Sequence, residues 1–359
     1  MKPELTYLLI AYGIFFVVTL FFAVLINGLL VKFSRNLGTR SNTGNQVRWN
    51  VQEKPSFGGI SFFIIFLISI CCLSFFFDNS SLFHNIKLLG IAFATTVGFL
   101  TGLFDDAFNT KVIVKLLSQI LCGVILVITG TTITLFDYDI LNYILTVLWV
   151  VGMMNSINML DNMDGISTIV SIFIFVAIFI DNALGSGLGD YNNMLLLGII
   201  TALIGFLVYN FPPSRMFMGD TGSQFLGVLL AAFSITYLWN HSEANQIYIP
   251  AKQIISVLLI FALPLIDTTT VTIKRILQGR SPFVGGKDHT THHLVYLGLS
   301  DTKVALVFTV LSLVSLCLGL WCLSLTEWTR WYTFGFAAYF VIVFTVLFTI
   351  ANTSKPKAQ

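Results

Sequence analysis

Charge is what this sequence lacks most. Of its 359 residues only 10% are Asp, Glu, Lys or Arg, against roughly 25% in soluble domains. So little charge excludes a water-soluble enzyme and a disordered chain. It equally excludes a nucleic-acid-binding protein, which needs a concentrated basic surface. Cysteine is also scarce. Cys71, Cys72, Cys122, Cys317 and Cys322 all fall in apolar stretches, without the spacing of a metal site or a disulfide framework. They read as small buried apolar residues. No internal repeat is present. The first apolar run, Leu5 to Val31, exceeds the roughly 7–15 residues of a signal-peptide apolar region.

What fills the chain is apolar. Hydrophobic residues make up 56%, with 34 phenylalanines, and the mean hydropathy is +0.87. A helix crossing a bilayer needs ~20 mostly apolar residues. That ruler marks eleven spans, near 5–31, 57–77, 86–104, 112–130, 140–158, 166–181, 192–210, 223–240, 252–273, 303–324 and 331–352. Uninterrupted apolar segments favour a helical bundle over a barrel, whose strands would alternate. The expected fold is an all-α integral membrane protein, a single polytopic domain over 1–359 set in a lipid bilayer.

Lys and Arg give the orientation. With the N-terminus outside, one set of loops holds Lys32, Arg35, Arg40, Arg48, Lys54, Lys111, Lys115, Arg215, Lys274, Arg275, Arg280, Lys287, Lys303, Lys355 and Lys357. The other holds Lys2, Lys87, Lys252 and Arg330. Fifteen against four makes the first set cytoplasmic, and the C-terminus with it. The polar stretches fall on that same side, near 32–56, 105–111, 155–165, 210–222 and 274–303. Outer loops carry no dense motif. A site at one membrane face fits this layout better than a transport path, which would place polar residues at the midplane.

Four of these stretches carry chemistry. Asp105 and Asp106 end a span that contains Gly98 and Gly102. A helix C-terminus carries partial negative charge, so two carboxylates there need a positive partner. Mg²⁺, Lys111 or Lys115 would serve, and a solvated loop start is the plainer reading. The two glycines read as helix-packing residues. In Asn155-Ser-Ile-Asn158-Met-Leu-Asp161-Asn-Met-Asp164-Gly165 polar residues recur every third position. Each such step falls roughly 60° short of a full turn, so the helix must tighten or end for them to converge, and Gly165 fits an ending. Their oxygens are hard ligands suited to Mg²⁺; an interhelical hydrogen-bond seam is the alternative.

Asn210-Phe-Pro-Pro to Phe217-Met-Gly219-Asp220-Thr-Gly222-Ser223 closes one span and opens the next. Asp220 would there cap a helix or sit where a helix N-terminus favours phosphate. The stretch from Lys274-Arg275 through Arg280 to Lys287-Asp288-His289-Thr-Thr-His292-His293 places three imidazoles on one helix face. A cationic clamp on phosphate is the better reading, with a zinc site as alternative. Asp267, just after Pro264 in an apolar span, is either functional or tied to a neighbouring helix. Together this inventory suits metal-bridged phosphate chemistry at a membrane surface.

In chain order from Lys54 to His293 these residues closely resemble the polyprenyl-phosphate N-acetylhexosamine-1-phosphate transferase superfamily (glycosyltransferase family 4). The matching pieces are Lys54-Pro55-Ser-Phe-Gly58-Gly59, Gly102-Leu-Phe-Asp105-Asp106, Lys115-xxx-Gln119, the Asn155–Gly165 series and the Asn210–Ser223 stretch. The resemblance implies Mg²⁺-dependent transfer of a hexosamine 1-phosphate from a UDP-N-acetylhexosamine to undecaprenyl phosphate, with release of UMP and Mn²⁺ as a substitute metal. By position it implies Asp220 and Asn158 as metal ligands and Asp105 and Asp106 as the catalytic pair. Lys115 would bind phosphate, while Asn155, Asn210, Asp161, Asp164 and Lys54 line the donor site. His289, His292 and His293 would meet the diphosphate. A bacterial inner-membrane location and a homodimer follow from the same resemblance.

Two departures stand out. The family's His-x-His-His becomes His289-Thr-Thr-His292-His293, and its Asp-Gly-Leu-Asp-Gly becomes Asp161-Asn162-Met163-Asp164-Gly165. The absence of three consecutive histidines, which mark the muramoyl-pentapeptide branch, leans the expectation toward N-acetylglucosamine and the start of an envelope glycan. UDP-MurNAc-pentapeptide or another UDP-hexosamine is the alternative donor. An ion-coupled transporter, a CDP-alcohol phosphatidyltransferase and a membrane scaffold rank below.

Overall fold

The computed structural model describes residues 3–37, 54–76, 85–241, 249–282 and 285–355. Most of the expected polar stretch 32–56 therefore lies outside the described residues. The chain is helical in all its described elements. They are α1 (Pro3–Leu37), α2 (Gly58–Phe76), α3 (Ile86–Phe108), α4 (Val112–Ile128), α5 (Asp139–Leu160), α6 (Ile166–Gly185) and α7 (Asn192–Asn210). Then come α8 (Gly219–Ser234) with a π-helical extension (Ile235–Trp239), α9 (Pro250–Ile260), α10 (Ala262–Leu277), α11 (Thr290–Tyr296), α12 (Asp301–Ser324) and α13 (Arg330–Thr353).

Each apolar stretch of the sequence coincides with one of these helices or with the α9–α10 pair. Among the described residues, eight helices have the length and apolarity to cross a membrane, and nine if that pair is one span. Gly58–Leu73 and Val112–Ile128 are apolar but shorter. The protein is thus an all-helical integral membrane protein. Outward-facing positions such as Phe21, Leu117, Leu148 and Trp331 are large and apolar, as lipid contact requires.

At the centre stands α8 with its extension, 94% buried in its apolar window, packed between α3, α5 and α2. Close approach depends on glycine. A Cβ on Gly102 of α3 would meet the Asp220 carbonyl, and one on Gly98 the Val228 side chain, which bears out their reading as packing residues. Gly227 of α8 lies in the same way against the Met154 backbone of α5. Phe62, Phe66, Phe206 and Phe225 fill the space between α2, α7 and α8 with edge-to-face pairs, the geometry aromatic quadrupoles prefer.

α9 and α10 meet at Phe261 with a bend of 79°. Pro264 falls in the first turn of α10, where its missing N–H costs no helical bond. This is one bent pair among the described residues, not the two matched interruptions a transporter of repeated halves would carry. The Asn155–Asp164 series differs from expectation in where its helix ends. α5 stops at Leu160 with Asp161 as its C-cap, and Gly165, at φ +78°, is the N-cap of α6. The stop comes early because Asp161 turns to accept from Ser167 Oγ (2.7 Å) and Asn162 donates back to the Met159 carbonyl (2.8 Å).

Gly102→Ala forces a methyl against backbone and is expected to cost ~1–3 kcal/mol, the range for overpacking. Gly13→Ala, with open space around it, should melt like wild type. Thermal unfolding of the detergent-purified variants checks this, and equal melting of both would contradict the packing account.

Candidate active site

The motif-bearing helix ends all open onto one cavity of about 590 Å³, a usual size for a small-molecule site. Its first wall is built by α3, α4 and α8. Asn109, in the left-handed region at φ 51°, ends α3 and returns its N–H to the Asp105 carbonyl (2.8 Å). This turn sets Thr110 beside Asp105, whose Oδ1 accepts from the Thr110 N–H (2.8 Å) and hydroxyl (2.6 Å). The other oxygen, Oδ2, takes the Lys115 ammonium at 2.8 Å. Lys115 also reaches Asp220 Oδ2 at 3.3 Å. Two carboxylates from different helices thus converge on one cation. Of the two lysines expected to compensate the acid pair, Lys115 is the one that meets it.

Asp106 has different neighbours. Its carboxylate accepts from the backbone N–H groups of Asp220 (3.1 Å) and Thr221 (2.8 Å) and from the Thr221 hydroxyl (2.6 Å). These are orphan donors at the start of α8, so Asp106 caps that helix from α3. Asp220 therefore does not serve as the cap, which corrects one of its two expected readings. It is instead an acid carried at the N-terminal end of α8, where the helix dipole favours negative charge.

From α5, Asn158 donates to Asp220 Oδ1 and to Ser223 Oγ (2.9 Å). Asn155 pairs with Gln119 (2.8 Å), and Gln119 donates in turn to Gln224 (3.0 Å). This seam of amides runs through α4, α5 and α8, so the interhelical reading of Asn155 holds while the residue still lines the cavity. Gln119 belongs to the Lys115-xxx-Gln119 piece of the sequence, but its contact with Gln224 joins separate helices and has no spacing signal.

The second wall comes from the α5–α6 and α7–α8 connections. Asp164 Oδ2 accepts from the Ser214 N–H (3.0 Å) and Lys54 Nζ (3.4 Å). Asn210 accepts from the Gly165 N–H (3.1 Å) and Thr168 hydroxyl (2.8 Å) and donates to the Met216 carbonyl (3.0 Å). Asp161, Asp164 and Asn210 all line the cavity. Lys54 does not; it lies 5.2 Å from the Phe217 ring centroid and braces Asp164 from behind.

The third wall is α10, α11 and the chain between them. Arg275 grips Asp288 with two nitrogens (2.9 and 2.6 Å) and the Pro282 carbonyl with a third (2.8 Å). Burial alone would raise the Asp288 carboxyl, but the Arg275 hydrogen bonds and charge hold it at about 2. This bidentate lock had no sequence signature beyond its two charges. His289 and His292 face the cavity with ring centroids 5.4 Å apart. His293 turns away, bonding Lys274 Nζ (2.8 Å) and Ser354 Oγ (2.7 Å) at the end of α13. The three rings thus do not share one binding face: His289 and His292 line the cavity, while Lys274 and Ser354 hold His293 away from it.

Burial, with His289 next to it, pulls His292 down to about 3. Burial and the Lys274 charge pull His293 down to about 4. Both rings are neutral near pH 7, so neither carries the positive charge of the expected clamp, whereas Arg275 at the cavity wall does. Among the described residues no group of three or more His, Cys, Asp or Glu could hold a metal ion by side chains alone. That removes the zinc alternative. The oxygens facing Lys115 still suit Mg²⁺, which is commonly held by one or two carboxylates together with substrate phosphates and water.

Comparison with known proteins adds an independent line. A family model described as "Glycosyl transferase family 4" matches residues 88–238, the stretch from α3 to the π-helical extension. A "Phospho-N-acetylmuramoyl-pentapeptide-transferase" of Staphylococcus saprophyticus is 31% identical over 77% of this chain and 88% of its own. The chain belongs to glycosyl transferase family 4. A "Probable undecaprenyl-phosphate N-acetylglucosaminyl 1-phosphate transferase" of Bacillus subtilis is 28% identical over 83% of this chain and 81% of its own. This family-4 protein is accordingly a bacterial membrane phosphoglycosyltransferase of the polyprenyl-phosphate hexosamine-1-phosphate transferase class. The membership sets aside the transporter, phosphatidyltransferase and scaffold readings.

Two outcomes follow for the histidines. His289→Ala should cost activity in folded protein, whereas His293→Ala should lower the melting temperature, because it releases α11 from α13. Stability should also fall with acid. The folded pKa values of His292 and His293 lie below their ordinary 6.5, so the unfolded chain takes up protons first. Their contribution is complete above about 6.5 and is lost as the pH falls toward 4 and then 3. Melting temperature against pH checks this: a flat wild-type profile, or an unchanged slope in His293→Gln, would contradict it.

Proposed function

We propose that this transferase moves N-acetylglucosamine 1-phosphate from UDP-N-acetylglucosamine to undecaprenyl phosphate, with Mg²⁺, at the cytoplasmic face of the bacterial inner membrane. UMP is released, and the polyprenyl-diphosphate sugar starts an envelope glycan. The observation that carries the reading is the convergence of Asp105 and Asp220 on Lys115 in a cavity whose far wall holds Arg275, His289 and His292. Such a site offers metal-binding oxygens at one end and N–H donors at the other, the two things a diphosphate donor needs. The excess of Lys and Arg on the motif side supports the cytoplasmic orientation, and a homodimer is carried over from the resemblance.

In the reaction an oxygen of the acceptor phosphate bonds to the sugar-bearing phosphorus. The bridging P–O bond breaks, and its electron pair leaves with UMP. Both reactants are anions, so their approach is repulsive until cations offset it. Lys115 supplies one such charge. Mg²⁺, with Mn²⁺ as substitute, would be held by Asp220 and Asn158 and would neutralise the diphosphate; Asn158 would turn its amide oxygen inward to join. An acceptor phosphate with a second pKa near ~6 is already mostly ionised at pH 7. A base therefore has little to remove, and Asp105 chiefly orients Lys115. Asp106 acts one step further back, by fixing the helix that carries Asp220. Asp161, Asp164 and Asn210 shape the nucleoside end.

The Bacillus subtilis relative is named for N-acetylglucosamine, which agrees with the absence of three consecutive histidines. The Staphylococcus saprophyticus relative is named for the muramoyl-pentapeptide reaction, which makes UDP-MurNAc-pentapeptide the second donor to try. The test is UMP release by detergent-purified protein with undecaprenyl phosphate, Mg²⁺ and each donor separately. Lipid-dependent release with UDP-N-acetylglucosamine, abolished by chelator and by Asp220→Ala, is expected. Release only with UDP-MurNAc-pentapeptide would move the protein to that branch. Silence of folded protein with every UDP-hexosamine would overturn the reading.

A further inference from the structure

Asp267 sits in α10, and the chemistry described so far assigns it nothing. It is 1% exposed, and a carboxylate so buried is kept only with partners. Its partners all lie at the start of α11. Oδ1 accepts from the Thr290 N–H (2.8 Å) and the Thr290 hydroxyl (2.6 Å), while Oδ2 lies 2.8 Å from His289 Nδ1. The Thr290 bonds alone would anchor α11. The second oxygen is spent on a ring that forms part of the cavity wall.

That bond settles what the ring can offer. An ionised carboxylate only accepts, so His289 Nδ1 carries a proton, and Nε2 is the nitrogen presented to a ligand. Neutral, the ring offers an acceptor at Nε2. Doubly protonated, it donates there to a phosphate oxygen, and that form needs a counter-charge in so enclosed a place. The other charged and titratable groups around the ring leave this role to Asp267. Asp288 is gripped by Arg275, His292 is neutral through burial, and Lys274 is bonded to His293 and the Ala351 carbonyl.

We propose that Asp267 is a positioning residue of the transferase. By holding the Nδ1–H of His289 it presents Nε2 to the phosphates in the cavity, and it balances the ring's charge when that nitrogen donates. The proposal rests on the cavity being the diphosphate site.

Asp267→Asn is the direct test. Asparagine keeps an oxygen for Thr290 but turns an NH₂ toward Nδ1, which forces the proton to Nε2. Folded variant should release UMP about 10–100-fold more slowly, by analogy with losing the hydrogen-bond partner of a metal-bound histidine. Paired with His289→Gln it should be non-additive, the double variant being no slower than His289→Gln. ¹⁵N spectra of histidine-labelled protein should show a protonated Nδ1 on His289 in wild type and an unprotonated one in Asp267→Asn. Additive losses, or a wild-type His289 without a proton on Nδ1, would overturn the proposal. The wild-type spectrum decides even if the variant does not fold. Full activity of His289→Gln would instead overturn the diphosphate reading of His289 itself, and this proposal with it.

Discussion

A single carboxylate joins the two helices on which the cavity is built. Asp106, at the end of α3, accepts the first N–H groups of α8 and the Thr221 hydroxyl, so the negative end of one helix is tied to the positive end of another. Successive residues on a helix point about 100° apart, and the preceding Asp105 therefore faces elsewhere, toward Lys115. One acid fixes α8 while its neighbour meets the cation, and the fixed helix brings Asp220 to the same cation. The glycines of α3 let the helices approach closely enough for this. Lengthen the separation by one methyl and the Asp220 carbonyl is displaced first.

The remaining walls hang on that frame through buried polar contacts. The Gln119, Asn155 and Gln224 amides register α4, α5 and α8 against one another. They add direction to the close van der Waals packing that holds membrane helices together, since lipid is as apolar as the helices and supplies no hydrophobic drive. Arg275 and Asp288 close the chain between α10 and α11, and Lys274, His293 and Ser354 tie α11 to the end of α13. The site is thus held from the first motif almost to the last helix, although the residues facing the cavity occupy a few helix ends.

Much of this was legible in the sequence, and the parts that were not share a cause. Hydropathy located the helical segments because each must bury or expose its side chains along its whole length. The need of two acids at a helix end for a positive partner left Mg²⁺, Lys111 and Lys115 open, of which Lys115 makes the contact, and Gly98 and Gly102 read as packing residues. What escaped depends on direction and distance. Spacing placed the three histidines on one face, but Lys274 and Ser354 hold His293 away from the other two. Gly165 marked a boundary correctly while its side of the boundary was wrong, since Asp161 and Ser167 end α5 earlier. Division of labour between Asp105 and Asp106, the Arg275–Asp288 lock and the Asp267–His289 bond are contacts between helices, and nothing local in the chain encodes them.

The central claim is that the oxygens now facing Lys115 form the metal-diphosphate end of the cavity. Electron paramagnetic resonance of Mn²⁺ bound to the purified protein with UDP-N-acetylglucosamine tests it most directly. The account predicts one bound Mn²⁺ whose signal depends on the nucleotide-sugar, is lost in Asp220→Ala and persists in His293→Ala. Equal Mn²⁺ binding by wild type and Asp220→Ala would contradict it.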